Sequence, residues 1–176
     1  MPNWNLNNLE VSGPKKELDA FIKKVRVTGI LQFDAIVPMP EELAVVGGTP
    51  EERAAREAIN LKKFGFPDWY LWSVANWGTK WDLTAEEDCS DRFERINGNV
   101  ATFSFDTAWS PPTRWLAAAA KMFPKLLFVM EYGESGMCFA GQVTFKQGKL
   151  AEDVDYPSGS DRYKEICGWD EDDAMK

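Results

Sequence analysis

The chain reads as an α+β fold, and three observations carry that reading. Leu18, Phe21, Ile22 and Val25 repeat at helical spacing, as do Trp115, Leu116, Ala119 and Phe123. Asn99 to Asp106 instead alternates with period two, setting Val100, Thr102, Ser104 and Asp106 against Ala101, Phe103 and Phe105. The last third then lines up several strand-like runs in succession, which an alternating parallel α/β protein does not do. With 176 residues and 44% apolar content, one core suffices. We therefore expect a single domain over 1–156, with 41–94 a mainly helical insertion and 157–176 an acidic C-terminal extension.

Trp4, Leu6, Leu9 and Val11 mark a first strand, and the irregular spacing between Leu6 and Leu9 suggests a bulge. Gly13-Pro14 opens the first helix, with Pro14 at its first position. Ile30 to Val37 is rich in β-branched and aromatic residues and reads as a second strand, stopped by Pro38-Met39-Pro40. In the insertion, Thr49-Pro50-Glu51-Glu52 is a capping box for a surface helix reaching about Phe64. Pro67 starts a shorter helix that places Trp69, Trp72, Ser73 and Asn76 on one face and stops at Gly78. Ser110-Pro111-Pro112 is expected to cap the helix carrying Trp115. Strands follow at Leu126 to Tyr132, Met137 to Phe145, and from Gln147-Gly148 to Tyr156, with a terminal helix from Tyr163 to Trp169. Two βαβ halves in one sheet, both helices on one face, make a ferredoxin-like βαβ-βαβ sandwich with extra antiparallel C-terminal strands. The name describes topology only, because Cys89, Cys138 and Cys167 cannot supply the four thiolates of an iron–sulfur cluster.

Composition narrows the chemistry. Histidine is absent, which removes the commonest general base and metal ligand along with every Ser-His or Cys-His pair. The cysteines are three in number and widely spaced, so they read as reduced thiols rather than a disulfide framework. No apolar run approaches the roughly 18 residues of a membrane helix, and the N-terminus lacks the pattern of a signal peptide. We expect a cytoplasmic protein without cofactor or metal. Of the net charge of −8, a net of −6 falls after Leu150, where nine acids face three bases. Asp170, Glu171, Asp172 and Asp173 are candidate contacts for a basic partner; the plainer reading is a solvated terminus.

The candidate site is a tryptophan-rich corner. Asn76, Trp77, Thr79, Lys80 and Trp81 are followed in the chain by Thr107 and Trp109, in segments that mix indoles with glycine, proline and small hydroxyls. Read structurally, Trp77, Trp81 and Trp109 wedge the insertion onto the sheet. Read functionally, indole faces with polar groups between them stack a planar ligand or anchor a partner. Asp82, Asp106, Glu131 and Glu134 are the carboxylates available for acid–base or Mg²⁺ chemistry, but their spacing fits no metal motif. Nucleic-acid binding is disfavoured: only the first helix, with Lys15, Lys16, Lys23 and Lys24, is locally positive.

Several segments in order resemble a known family. They are Asn3-Trp4 with Leu9, Val11, Ser12, Gly13 and Pro14, the run from Ile36 to Leu43, and Trp69-Tyr70-Leu71-Trp72 with Asn76 to Asp82. Phe105 to Pro112 and Gly136 to Gly141 complete the set. Together they are similar to the YubB-like ferredoxin-like family of phages and conjugative plasmids. The resemblance implies the fold and a mobile-element origin but no established reaction, and it does not extend past about Tyr156. The expectation is a non-enzymatic protein-binding accessory factor of a phage or plasmid, including counter-defence by binding a host protein. The alternative is a small planar ligand or nucleotide-binding domain, including a carboxylate/Mg-dependent hydrolase.

Overall fold

The computed structural model describes residues 3–84 and 91–168. Six strands form one sheet: β1 (Trp4–Ser12), β2 (Asp91–Arg95), β3 (Val100–Ala108), β4 (Leu127–Glu134), β5 (Phe139–Lys146) and β6 (Lys149–Tyr156). Their order is β2-β3-β1-β4-β5-β6, with every neighbouring pair antiparallel. The first four reproduce the ferredoxin-like arrangement, in which the first strand lies centrally and the chain crosses over twice; β5 and β6 extend the sheet as hairpins.

Two helices cover one face, α1 (Lys15–Val25) and α4 (Thr113–Met122). Their apolar stripes bury Leu18, Phe21 and Val25 from α1, and Trp115, Leu116 and Ala119 from α4. Phe21 meets Phe103, Phe123 and Phe128 edge-on, with ring centres 5.3–6.0 Å apart, which joins both helices to the middle strands. The short α5 (Asp161–Cys167), capped by Ser160, packs against β4 and β5. Its Ile166 and Cys167 lie against Gly133, where a Cβ would come within 2.8 Å of both side chains. Gly133 shares the side of β4 that carries Glu131, opposite the buried Phe128 and Met130. Trp169 lies outside the described residues.

Three local expectations give way. β1 has no bulge: it pairs without interruption from Trp4 opposite Ala108 to Ser12 opposite Val100. The apolar spacing is irregular because Asn5 and Asn7, not Leu6, face inward. Thr107 engages Asn7, its hydroxyl accepting from that amide at 2.9 Å and donating to the Ser110 carbonyl at 2.8 Å.

Ile30 to Val37 is not a strand but a looped plug, with Leu31, Phe33 and Ile36 buried over the sheet. Both sides of β1 are already taken by β3 and β4, so the plug's amides bond to carboxylates instead of a ladder. Leu31 donates to Asp91 at 3.0 Å, and Phe33 and Asp34 donate to Asp82 at 2.7 and 2.9 Å. The second strand of the fold is Asp91–Arg95, which overlaps the end of the expected insertion. Its charged sequence hides a strand because Phe93 alone is apolar, while Asp91 is engaged by Arg26 beneath the plug.

Finally, Ser110 does not cap α4. Its hydroxyl donates to the Gly78 carbonyl at 2.7 Å, and Pro112 stands at the N-cap position without a side-chain bond.

The insertion follows its local signals. α2 (Pro50–Phe64) starts at the Thr49/Glu52 capping box, stops at left-handed Gly65, and buries Asn60 alone. α3 (Trp69–Asn76) is capped by Asp68. Among the described residues, no helix is long and apolar enough to cross a membrane.

Candidate functional site

The corner forms where the end of α3 meets the end of β3. At Gly78 the chain turns with φ 95°, and an added Cβ would stand 3.0 Å from the Pro111 carbonyl, so glycine permits this approach. Thr79 is fully buried and donates to the Ala108 carbonyl at 3.0 Å. Trp115 N–H donates to the Trp77 carbonyl at 3.1 Å, and Arg114 reaches the Ala75 carbonyl at 2.8 Å. Trp77 is 3% exposed; its indole N–H donates to Val37 O at 2.8 Å, and its ring lies edge-on to Trp72 at 5.3 Å. Asn76 donates to the Trp72 carbonyl within its own helix. Trp77 and Thr79 therefore fasten the insertion to the body of the fold, while Asn76 bonds within α3 and Thr107 ties β3 to β1.

Of the other candidates Trp109 faces outward, and Lys80 and Trp81 are half-buried beside it. Trp109 is 43% exposed and sits at φ 69°, a backbone conformation costly for a bulky residue, held by its N–H bond to Asn3 O at 2.9 Å. Lys80 Nζ lies 4.3 Å from the centre of the Trp81 ring and 4.5 Å from that of Trp109, an ammonium clasped between two π faces. Trp4 packs edge-on to Trp81 at 6.4 Å, and Tyr70 does the same to Trp109 at 6.3 Å. A row Trp4–Trp81–Lys80–Trp109–Tyr70 thus runs around the end of the sheet. α3 widens it at the Tyr70 end with exposed Leu71 and Val74.

Sequence reasoning missed Trp4, Tyr70, Leu71 and Val74 as members of this surface. The spacing of 70, 71 and 74 does mark one helix face, but nothing local says that this face points to solvent. Trp4 joins through register alone, since it pairs with Ala108, the residue before Trp109.

The carboxylates do not converge. Asp82 accepts from the amides of Phe33, Asp34 and Leu83; burial raises its pKa, and these three donors pull the other way. Glu134 is buried and accepts from Gly136 and Met137 at 2.7 and 2.6 Å, shaping the β4–β5 turn. Glu131 pairs with Arg162 of α5, and Asp106 stands opposite Leu6 on β1. Among the described residues, no three Cys, Asp or Glu side chains group as metal ligands do. The four acids Asp170, Glu171, Asp172 and Asp173 lie outside the described residues. On α1, Lys15 pairs with Asp19 of the same helix.

Comparison with known proteins places this geometry. The chain matches the crystal structure of a protein api92 from Yersinia pseudotuberculosis with a TM-score of 0.55, over 91% of this chain and 100% of that one. At 10% identity this likeness is one of fold. No curated protein sequence matches the chain. The family model described as the ferredoxin-like domain in Api92-like protein matches residues 77–175, more than half the chain. The match begins at Trp77, within the corner, and runs through the described parts of β2 to α5; the chain belongs to that family of ferredoxin-like domains.

Proposed function

We propose that this protein is a non-enzymatic binding module whose contact surface is the row Trp4–Trp81–Lys80–Trp109–Tyr70 with its Leu71 and Val74 margin. One observation carries the reading: large aromatic side chains are held at the surface, one of them in a strained backbone conformation, instead of joining the core below them. Folding alone rewards burying an indole. Exposed Trp and Tyr clustered around a fixed cation are the composition of interface anchors. In the fuller form of this proposal the partner is a host protein met in the cytoplasm, and the module serves a phage or plasmid. That setting rests on the motif resemblance.

The planar-ligand and hydrolase reading has less behind it. The slot between Trp81 and Trp109 is filled by the chain's own Lys80. Asp82 and Glu134 are committed to backbone amides.

A photo-crosslinking residue placed at Tyr70, with a second variant carrying it at exposed Arg53 on α2 as control, tests the surface in host lysate. We expect one discrete adduct from position 70, lost when Trp109→Ala is added. Equal adducts from both positions, or none from position 70, would reject the surface.

A further inference from the structure

The helix α2 lies almost bare on the surface. Of its 15 residues Asn60 alone is buried, and Arg56 and Phe64 are half-buried; all the others are exposed. One side of it is held to the body: Asn60 donates to the Pro67 carbonyl at 3.1 Å, Arg56 donates to the Gly47 carbonyl at 2.7 Å, and Lys63 pairs with Glu42. The apolar residues lie elsewhere, with Ile59 64% and Leu61 55% exposed, and Val45, Ala55, Ile59 and Phe64 line an apolar groove along one margin. A helix of this length is marginal in water unless packing covers such a face.

The face has a charge order that fits itself. At about 100° per residue, Glu51, Ala55, Ala58 and Lys62 fall within about 60° of one another, on the side away from Asn60. Acids, Glu51 and Glu52, occupy the first turn, and bases, Lys62 and Lys63, the last. Laid antiparallel on its own copy, the stripe sets Glu51 opposite the partner's Lys62, and the reverse, with Ala55 opposite the partner's Ala58 where the helices come closest. Ile59 and Leu61 flank that seam and pack beside the small side chains across it. A parallel pair would instead set Glu51 against the partner's Glu51. Charge therefore selects the antiparallel arrangement, and one patch serves both copies, as a two-fold interface requires.

We propose that α2 docks on α2 of a second copy of this chain, antiparallel about a two-fold axis, through the stripe Glu51–Ala55–Ala58–Lys62. Two helices, each about 22 Å long, bury an area at or below the low end of specific interfaces, so the dimer forms at high protein concentration and exchanges quickly. The contact uses no residue of the aromatic row at the end of the sheet, and it stands or falls apart from that surface.

Sedimentation velocity of the full chain at low salt, up to about 1 mM protein, tests it. We expect reversible dimerisation that weakens about tenfold in Glu51→Lys and in Lys62→Glu, because each reversal turns two symmetric attractions into repulsions. The double variant Glu51→Lys/Lys62→Glu should restore the dimer, and an equimolar mixture of the two single variants should associate more tightly than either alone. Every reversal opposes the helix dipole, so a helix merely loosened at its ends would be worst in the double variant; circular dichroism of each variant reads that loss separately. A chain monomeric at about 1 mM would overturn the proposal and leave the face to a different partner. Dimerisation insensitive to both reversals, or a double variant no better than the single ones, would overturn it equally.

Discussion

Trp77 and Trp109 belong to one corner and have opposite environments. Trp77 is buried, its indole N–H bonded and its ring fitted among Trp72 and Phe33. Trp109 spends backbone strain to remain outside, where it helps clasp Lys80. Residue type does not separate them. The position of the backbone does, because Trp77 ends a helix that lies on the core, whereas Trp109 occupies a turn beyond the last ladder pair of β3. A cluster of aromatics in sequence can thus hold a fastening and a contact surface side by side.

Four measurements break or sharpen this contrast. The largest effect belongs to Trp77→Ala, which should cost roughly 3–5 kcal/mol in chemical denaturation, the usual range for truncating a buried large aromatic. A loss below about 1 kcal/mol would place Trp77 with the surface group. Next comes Thr107→Val, which keeps the shape but removes the acceptor for Asn7 and the donor to Ser110. The same unfolding curves should show a loss of about 1–3 kcal/mol, the net of two lost hydrogen bonds, since the Asn7 amide keeps its bonds to the Asn5 and Phe105 carbonyls.

Trp109 should behave otherwise. Trp109→Gly releases the positive φ, so stability should stay within about 1 kcal/mol of wild type or rise slightly, while crosslinking at position 70 disappears. Destabilisation comparable to Trp77→Ala would erase the contrast.

The last measurement is a pH dependence on the buried side. Tyr132 lies across from Asn7 on β4; burial, and then Asp153 and Asp155, push its phenol up to about 12 from 10.0. The native state then keeps a proton that the unfolded chain releases, so stability should fall as pH rises from about 10 to about 12. Tyr132→Phe should flatten that slope, and phenolate absorbance should lose one late-titrating group. An unchanged slope would show Tyr132 to be more solvated than the core beside it.

Much of the fold was legible because its signals are local. The Thr49/Glu52 box, the stop at Gly65, the apolar stripe of α1 and the alternation of β3 each depend on neighbours within a few residues. Ile30 to Val37 had the composition of a strand but lies over the sheet instead of in it, and Asp91–Arg95 took the edge of β3 with little apolar content. Strand identity depends on partners distant in sequence, so propensity misassigned both.

The site divides in the same way. Sequence alone determined that tryptophan, lysine, glycine and small hydroxyl residues would gather at a corner of an α+β sheet, since Gly78 and Pro111-Pro112 permit little else there. Only the tertiary structure decided which indoles are buried and brought Trp4 and Tyr70 to the row. Those outcomes depend on register and on packing between elements far apart in the chain. No window of neighbouring residues carries that information.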